Sequence, residues 1–265
     1  MSQLANIHME NAGQGPELVI LHGLFGDADN FRSIALHMQR HYSVTRIDLP
    51  GHGRSSSLDT LSINAMAEAI CEALLKNKVN ECHLLGHSLG GKVAMAIAGN
   101  DLNVRVNKLV IADIAPRVYA PHHNSILSAL SALPLDQLKS RSDADKLLSK
   151  SISQAGVRSF LLKNLVRDSN NHYQWRLDLD KLVRDYPLIR QVPSFSKIIA
   201  CPTLFIKGGD SDYIDAADEP AIRQQFSDPH FKEIAGTGHW LHAEKPALFT
   251  KVCNEFLLTT LKSAS

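Results

Sequence analysis

The sequence has few cysteines, and none of them is spaced as part of a pair. Its 265 residues include only four, at positions 71, 82, 201 and 253, with no C-x-x-C arrangement. Zinc-binding modules and small disulfide-stabilised domains both depend on closely spaced cysteines. We therefore expect neither, and we expect the thiols to be reduced in a cytosolic protein.

Net charge and long apolar runs are also lacking. The 28 Lys and Arg residues nearly balance 27 Asp and Glu residues, giving a net charge of +1, so no overall basic field would attract nucleic acid. No apolar run approaches the roughly 20 residues that span a bilayer. Met1 to Glu10 lacks the basic and apolar segments of a secretory leader. The sequence thus predicts a soluble, cytoplasmic protein without a nucleic-acid partner or a membrane span, and leaves monomer and dimer open.

Short apolar segments alternate with helical patterns along most of the chain, which is 44% apolar. Strands are predicted at 17–22, 42–48, 81–86, 107–113, 203–207 and 230–234, and helices at 31–40, 63–74, 89–98, 217–226 and 247–258. This alternation is typical of an α/β fold with a mostly parallel, doubly wound sheet that has helices on both faces.

The alternation stops between residues 117 and 200. The pattern there is helical, with Leu161 and Leu165 on one apolar stripe, and no clear strand is predicted. We therefore predict a core domain formed by residues 1–116 and 201–265, with a helical cap inserted at 117–200. The predicted cap has 13 Lys and Arg residues and 7 Asp and Glu residues, a net charge of +6, whereas the remainder has −5. Such a segment either has ordinary solvated helix faces or attracts anionic substrates.

A candidate nucleophile lies in the segment Gly86-His87-Ser88-Leu89-Gly90. This G-x-S-x-G pattern follows an apolar strand and opens a helical segment, which is the setting of a nucleophile elbow. The glycines permit a strained turn, and the amino terminus of the following helix adds positive charge where an oxyanion would develop. The plain alternative is an ordinary turn serine, but this context favours Ser88 as a nucleophile.

A serine hydroxyl needs a general base at neutral pH, and the best candidate is His239. The segment Gly236-Thr237-Gly238-His239-Trp240 follows the last predicted strand, where a loop could bring an imidazole over Ser88. His242 is the rival base, although it more simply packs at the start of the final helix. The pair His122-His123 could suggest a metal site, but no third ligand lies at a suitable spacing. We therefore expect no metal and no organic cofactor.

A second glycine-rich segment, His22-Gly23-Leu24-Phe25-Gly26, directly follows a predicted strand. In an oxyanion hole of this kind, one backbone N–H belongs to the residue after the nucleophile and one to such a loop. Leu89 and Leu24 fit those two positions. Phe25 is the alternative donor, or a wall of the acyl pocket. The plain alternative is a glycine-rich exit from a strand.

Two segments compete to supply the acid that orients the histidine. Asp113 ends one predicted strand, whereas Asp210 and Asp212 follow the strand at 203–207. We expect these two strands to be neighbours, roughly 4.8 Å apart, so that either loop could reach His239. Asp48 is expected to be structural.

Four segments together resemble the α/β-hydrolase superfamily, in the right order and across nearly the whole chain. They are His22-Gly-Leu-Phe-Gly26, Asp48-Leu-Pro-Gly-His-Gly-Arg-Ser55, Gly86-His-Ser-Leu-Gly-Gly91 and Gly238-His-Trp240. More closely, Asp113-Ile-Ala-Pro116, Phe160-Leu-Leu-Lys163 and Gly238-His-Trp-Leu-His-Ala-Glu-Lys-Pro246 resemble the YbfF-type esterases of bacteria and their mitochondrial relatives. The resemblance implies a cap over the active-site crevice. It favours Asp113 as the acid, whereas the wider superfamily favours Asp212, and it implies that Gly208 to Asp212 need not be acidic.

Taken together, these features predict a serine hydrolase. Ser88 would attack an acyl carbonyl, His239 would transfer the proton, Asp113 would orient His239, and the N–H groups of Leu24 and Leu89 would hold the oxyanion. We expect Phe25, His87 and Trp240 to line the substrate pocket.

The substrate is less closely defined by the sequence. The resemblance implies short acyl esters and, in some members, acyl-CoA thioesters. A short- to medium-chain carboxylic ester is the leading choice, and an acyl-CoA thioester is the alternative because of the basic cap with Arg117, Lys163 and Arg176. Proteins with this scaffold also catalyse carbon–carbon bond hydrolysis and perhydrolysis, so both reactions are further alternatives. From another class, a receptor or partner-binding module on a hydrolase scaffold is the remaining alternative.

Overall fold

A seven-stranded sheet forms the centre of the computed structural model, which describes residues 5–259. The nine strands in chain order are β1 (Met9–Ala12), β2 (Glu17–Leu21), β3 (Ser43–Ile47), β4 (Glu81–His87), β5 (Arg105–Ala112), β6 (Leu165–Arg167), β7 (Tyr173–Trp175), β8 (Thr203–Gly208) and β9 (Pro229–Ile234). The large sheet has the order β1-β3-β2-β4-β5-β8-β9, and β6 and β7 form a separate antiparallel pair. Only β1 runs antiparallel to its neighbour in the large sheet.

Helices cover both faces of this sheet. They are α1 (Arg32–Met38), α2 (Ile63–Lys76), α3 (Leu89–Gly99), α4 (Asn124–Ser131), α5 (Arg141–Leu148), α6 (Ala155–Leu161), α7 (Leu179–Ile189), α8 (Glu219–Gln225), α9 (Leu241–Glu244) and α10 (Pro246–Leu258). Because side chains alternate along a strand, Val19 and Leu21 join the core with α2 and α3, whereas Leu18 and Ile20 join the core with α1 and α10. The predicted mostly parallel, doubly wound sheet is confirmed.

The six predicted strands are all present in the large sheet, but β1 was not predicted from the sequence. Its four residues are half-buried or exposed and pair with only one strand, so they lack the apolar run of a central strand. The helix predicted at 31–40 begins earlier, as a 3-10 turn from Ala28 to Phe31 that continues into α1. Asp27 starts this turn because its side chain accepts a hydrogen bond from the N–H of Asp29.

The prediction that residues 117–200 contain no strand was wrong. Helix α6 ends at Leu161, a 3-10 turn covers Leu162–Asn164, and the chain then extends into β6. The hairpin to β7 turns at Asp168-Ser-Asn-Asn171, where the Asp168 carboxylate accepts hydrogen bonds from two backbone N–H groups and Asn171 has a φ of +64°. Such residues are typical of turns, so the single helical stripe through Leu161 and Leu165 was a wrong interpretation.

The 117–200 segment is attached to α3 near both of its ends. The buried ammonium of Lys92, on α3, donates hydrogen bonds to the main-chain oxygens of Arg117, Arg190 and Gln191 at 2.6–3.0 Å. These three acceptors satisfy the three donors of a lysine ammonium. The outer ends of the predicted core, residues 1–4 and 260–265, lie outside the described residues. Within residues 5–259, no helix has both the length and the apolar character needed to cross a bilayer.

Candidate active site

The carboxyl ends of β2, β4, β5, β8 and β9 lie along one edge of the sheet, and the predicted site residues follow them. As expected, β5 and β8 are direct neighbours, with Ala112 opposite Ile206. In parallel α/β sheets, ligands bind outside this edge of the strands. The fold therefore brings segments that are more than 200 residues apart in the chain, such as those at Leu24 and His239, to one crevice.

Ser88 lies in a sharp turn between β4 and α3. Its φ of +52° and ψ of −119° are strained for a residue other than glycine, which is typical of functional turns. The turn requires glycines on either side: a Cβ on Gly86 would lie 2.3 Å from the oxygen of Gly90, and a Cβ on Gly90 would lie 2.4 Å from the oxygen of His22. The G-x-S-x-G spacing thus follows from close backbone contacts around the serine.

The structure brings Ser88, His239 and Asp113 into one hydrogen-bonded chain. Nε2 of His239 lies 3.0 Å from Oγ of Ser88, and Nδ1 of His239 lies 2.8 Å from Oδ2 of Asp113. A neutral imidazole with its hydrogen on Nδ1 donates to Asp113 and accepts from the serine hydroxyl. This is the arrangement needed for a histidine to take a proton from the serine.

The carboxylate of Asp113 is completely buried and holds three hydrogen bonds. Oδ1 accepts from the backbone N–H of Gly208 at 2.9 Å, and Oδ2 accepts from the hydroxyl of Ser211 as well as from His239. Its φ of +52° turns the side chain at the end of β5. The rival aspartates at 210 and 212 are both exposed, and in the part of the chain that the structure describes neither hydrogen-bonds to His239.

The candidate oxyanion loop is held by a buried histidine. The imidazole of His22 donates to the oxygen of Gly23 at 2.8 Å and accepts from the N–H of Leu49 at 2.9 Å. Burial lowers the pKa of His22 to about 4, so the ring is neutral at physiological pH. Across the loop, the buried amide of Asn164 donates to the oxygen of Phe25 at 2.8 Å.

Three backbone donors near Ser88 are unoccupied. Within residues 5–259, the N–H groups of Leu24, Phe25 and Leu89 have no hydrogen-bond acceptor. Phe25 has a φ of +64°, and Leu89 is the first residue of α3, where helical N–H groups have no acceptor in their own helix. Each of these groups is available to a substrate oxygen, so the geometry leaves both Leu24 and Phe25 as candidates for the loop donor.

Several aromatic rings surround the imidazole of His239. Tyr213 stacks on it with ring centroids 3.7 Å apart, and Nε2 of His87 lies 2.8 Å from its main-chain oxygen. His242, the rival base, is buried and stacks on Phe31 at 4.4 Å. Burial, together with the neighbouring imidazole of His239, lowers the pKa of His242 to about 3. His242 therefore packs beneath the site as a neutral ring.

A cavity of about 440 Å³ opens above Ser88 and His239. The three expected pocket residues, Phe25, His87 and Trp240, all line it. Helices α4 and α6 and the loop before α6 form its other wall, with Ile126, Ile152, Val157, Phe160 and Leu161 as apolar members and Ser125, Ser151, Ser153 and Gln154 as polar ones. Among the described residues that line this cavity, none is Lys, Arg, Asp or Glu.

The pair His122-His123 also lies at this cavity. Nδ1 of His123 is 2.9 Å from the hydroxyl of Tyr186, and burial lowers the pKa of His123 to about 4. Across residues 5–259, no group of three or more His, Cys, Asp or Glu side chains is arranged to hold a metal ion. The two imidazoles are therefore part of the pocket wall.

The basic residues expected to attract an anionic substrate lie elsewhere. Nε of Arg117 is 3.2 Å from the carboxylate of Asp218, and Arg176 pairs with Asp27. Lys163 is exposed and does not line the cavity. Some of the positive charge of the 117–200 segment is therefore paired with carboxylates in the rest of the chain.

Three residues at this site were not identified from the sequence: Ser211, Tyr213 and Asn164. Ser211 lies between the two rival aspartates, Asp210 and Asp212, and Tyr213 follows directly. Asn164 follows the Phe160-Leu-Leu-Lys163 segment of the resemblance, and this was the one signal that could have indicated it.

A mostly parallel sheet with helices on both faces, a strained serine after β4 and a histidine loop after β9 define the α/β-hydrolase class of proteins. A model of the alpha/beta hydrolase family matches residues 18–252, and the chain belongs to this family.

Several known proteins are similar to this chain over most of its length. Esterase YbfF of Escherichia coli strain K12 is 31% identical over 252 residues, covering 94% of this chain and 95% of that protein. The sn-1-specific diacylglycerol lipase ABHD11 of Mus musculus is 35% identical over 250 residues, covering 91% and 81%. The solved structure of a marine microorganism esterase matches with a TM-score of 0.91 and 35% identity, covering 95% and 99%. The resemblance to YbfF-type esterases is confirmed.

Proposed function

We propose that this carboxylic ester hydrolase is a serine esterase that acts through an acyl-enzyme. The observation that carries the proposal is the continuous hydrogen-bonded chain from Ser88 through His239 to the buried Asp113. His239 accepts the serine proton as Oγ attacks the acyl carbonyl, and the Asp113 carboxylate stabilises the imidazolium that forms.

The negative charge that develops on the carbonyl oxygen is held by backbone N–H groups. Leu89 donates from the first turn of α3, and Leu24 donates from the loop after β2. Both groups are free of protein acceptors in the described structure, which supports this role. Donors that are fixed before the reaction favour the charged intermediate without reorganisation.

Collapse of the tetrahedral intermediate breaks the bond to the leaving oxygen, which receives the proton from Nε2 of His239. The alcohol departs and the acyl group stays on Oγ of Ser88. Water then attacks the acyl carbon while His239 accepts a proton from it. The second collapse releases the carboxylic acid and returns the proton to Ser88.

The substrate in this proposal is an uncharged carboxylic ester with a short to medium acyl chain. The large cavity has apolar and neutral polar lining, which suits an uncharged ester. The names of the relatives, an esterase and a diacylglycerol lipase, both refer to ester substrates. An acyl-CoA thioester has weaker support, because Arg117 and Arg176 form ion pairs away from the cavity.

Residues 117–200 form a cap over this crevice in the same proposal, with the core at 1–116 and 201–265. The support is that α4 and α6 line the cavity, while Lys92 connects both ends of the segment to α3. The cytoplasmic location and the independence from an organic cofactor stay predictions from the sequence.

Labelling by a fluorophosphonate tests the proposal without knowledge of the natural substrate. We expect one label per chain at Ser88, no label in Ser88→Ala, and parallel loss of p-nitrophenyl acetate turnover. The matched control is Ser149→Ala, an exposed serine, which should label like the wild type. A wild-type protein that neither labels nor turns over the ester would contradict the proposal and would favour a binding module.

A further inference from the structure

A second, small cavity borders Ser88, and we propose that it holds the acyl group and limits it to two or three carbons. Ile114, Tyr186 and Ile189 are the residues that set this limit. The inference rests on the proposed esterase function and adds to it the acyl specificity.

The two cavities share a boundary formed by Leu24, Ser88, His122, His123 and Tyr213, and their remaining walls differ. The small one has a volume of about 40 Å³ and contacts Leu89, whereas the large one, of about 440 Å³, contacts His239 and Trp240. Neither His239 nor Trp240 lines the small cavity. The site is therefore divided into one chamber beside the oxyanion donor of α3 and another beside the base.

The chemistry assigns one part of an ester to each chamber. The leaving oxygen must lie next to Nε2 of His239, which gives it a proton, so the alcohol occupies the large chamber. With the carbonyl oxygen on the N–H groups of Leu24 and Leu89, the acyl chain extends into the chamber that those same residues border. Leu89 lines the small cavity and not the large one, whereas Leu24 lines both.

The walls of the small chamber are mostly apolar and firmly held. Ile114 and Ile189 are buried, and the hydroxyl of Tyr186 is fixed 2.9 Å from Nδ1 of His123. Two basic residues also border it, but their polar groups are engaged. The Lys92 ammonium donates to three main-chain oxygens, and Arg190 donates to the oxygen of Tyr119 at 2.8 Å. An alkyl group thus suits this chamber better than a charged one.

The volume sets the length of chain that fits. A protein cavity of about 150 Å³ admits benzene, which has six carbons. A chamber of about 40 Å³ is roughly a quarter of that size. It therefore has room for the one or two carbons beyond the carbonyl of an acetyl or propionyl group, and a longer chain would extend beyond it.

A chain-length series of p-nitrophenyl esters tests this limit, because the leaving group is the same throughout. We expect kcat/KM of the wild-type protein to be highest for acetate or propionate and to fall roughly 10- to 200-fold when the first methylene that does not fit is added. Turnover of acetate together with equal or faster turnover of octanoate overturns the chamber assignment and leaves the esterase function intact. No turnover of any ester and no fluorophosphonate label would instead contradict the esterase function itself.

Substitutions of Ile189 should move the limit in both directions. Ile189→Ala enlarges the chamber and should raise the butyrate-to-acetate ratio of kcat/KM at least 10-fold, whereas Ile189→Phe should lower the propionate-to-acetate ratio. Ratios measured within one variant do not depend on the fraction of protein that is folded. The matched control is Val157→Ala, which enlarges only the large chamber and should leave both ratios within about two-fold of the wild type. Unchanged ratios in the Ile189 variants, or the same shift in Val157→Ala, would overturn the proposal.

Discussion

The side-chain amide of Asn164 donates a buried hydrogen bond of 2.8 Å to the main-chain oxygen of Phe25. This contact joins residues that are 139 positions apart in the chain. It links the 117–200 segment to the loop that follows β2, whose N–H groups we propose as oxyanion donors. The segment that borders the large cavity therefore also supports the loop that we propose as an oxyanion donor.

We expect Asn164→Ala to lower kcat for p-nitrophenyl acetate about 10- to 100-fold with little change in KM. Loss of a direct oxyanion donor reduces kcat by about 10²- to 10³-fold, and a contact that only positions the donor should have a smaller effect. Steady-state kinetics separate kcat from KM. The exposed Asn170→Ala is the control and should behave like the wild type. A variant that melts at a lower temperature but keeps its kcat would show that Asn164 has only a structural role.

Exchange of single aspartates for asparagine should distinguish the two rival acids. Asp113→Asn removes the carboxylate that accepts from Nδ1 of His239, and the amide favours the wrong tautomer. We expect kcat to fall about 10⁴-fold, as in other enzymes with this triad. Asp212→Asn should stay within about two-fold of the wild type, because this residue is exposed. The reverse pattern would assign the role to Asp212.

The sequence could predict those site residues that belong to a short motif with fixed spacing. Gly86 and Gly90 are required by close backbone contacts on either side of Ser88, with the oxygens of Gly90 and His22 respectively, so they mark the serine directly. The choice between Asp113 and Asp212 was different, because the two residues follow adjacent strands, β5 and β8, and spacing along the chain does not give the distance from either side chain to His239. Such a distance is a property of the assembled sheet, and the resemblance to relatives favoured Asp113 where spacing alone did not.

Residues that act through distant contacts could not be predicted in the same way. The hydroxyl of Ser211 reaches a carboxylate 98 positions away, and Asn164 reaches the loop at Phe25. Neither has a local pattern that indicates its partner. The strand β6 was missed for another reason: it has only three residues, Leu-Val-Arg, and so short a run is compatible with a helix as well as a strand.

Buried neutral histidines should make the protein sensitive to mild acid. Burial lowers the pKa of His242 to about 3, so the unfolded chain binds a proton between pH 6.5 and 3 that the folded chain does not. The contribution of His242 to stability is therefore full above pH 6.5 and is lost as the pH falls towards 3. His22 and His123, with pKa values of about 4, act in the same direction.

We expect His242→Phe to flatten this dependence, because the new ring can still stack on Phe31 without binding a proton. Urea unfolding at a series of pH values should give a free-energy curve less steep by up to about 1.4 kcal/mol per pH unit below pH 6.5. The exposed His37→Gln should follow the wild-type curve. Equal slopes in the wild type and His242→Phe would show that His242 does not resist protonation in the folded protein.

The ion pair between Arg176 and Asp27 affects how fast we expect the enzyme to hydrolyse anionic substrates. Because Arg176 and Arg117 are neutralised by aspartates and no charged side chain among residues 5–259 lines the large cavity, an anionic leaving group gains little attraction. We expect acetyl-CoA to be hydrolysed no faster than the uncharged thioester S-ethyl thioacetate at equal concentration. Raising the ionic strength from about 0.05 M to about 0.5 M should change the ratio of the two rates less than two-fold, since screening acts only on the charged substrate.

Lys163→Ala, which removes an exposed cation away from the cavity, should leave this ratio unchanged. A preference for acetyl-CoA of ten-fold or more that salt abolishes would instead mean that the basic residues of the 117–200 segment recruit anionic substrates.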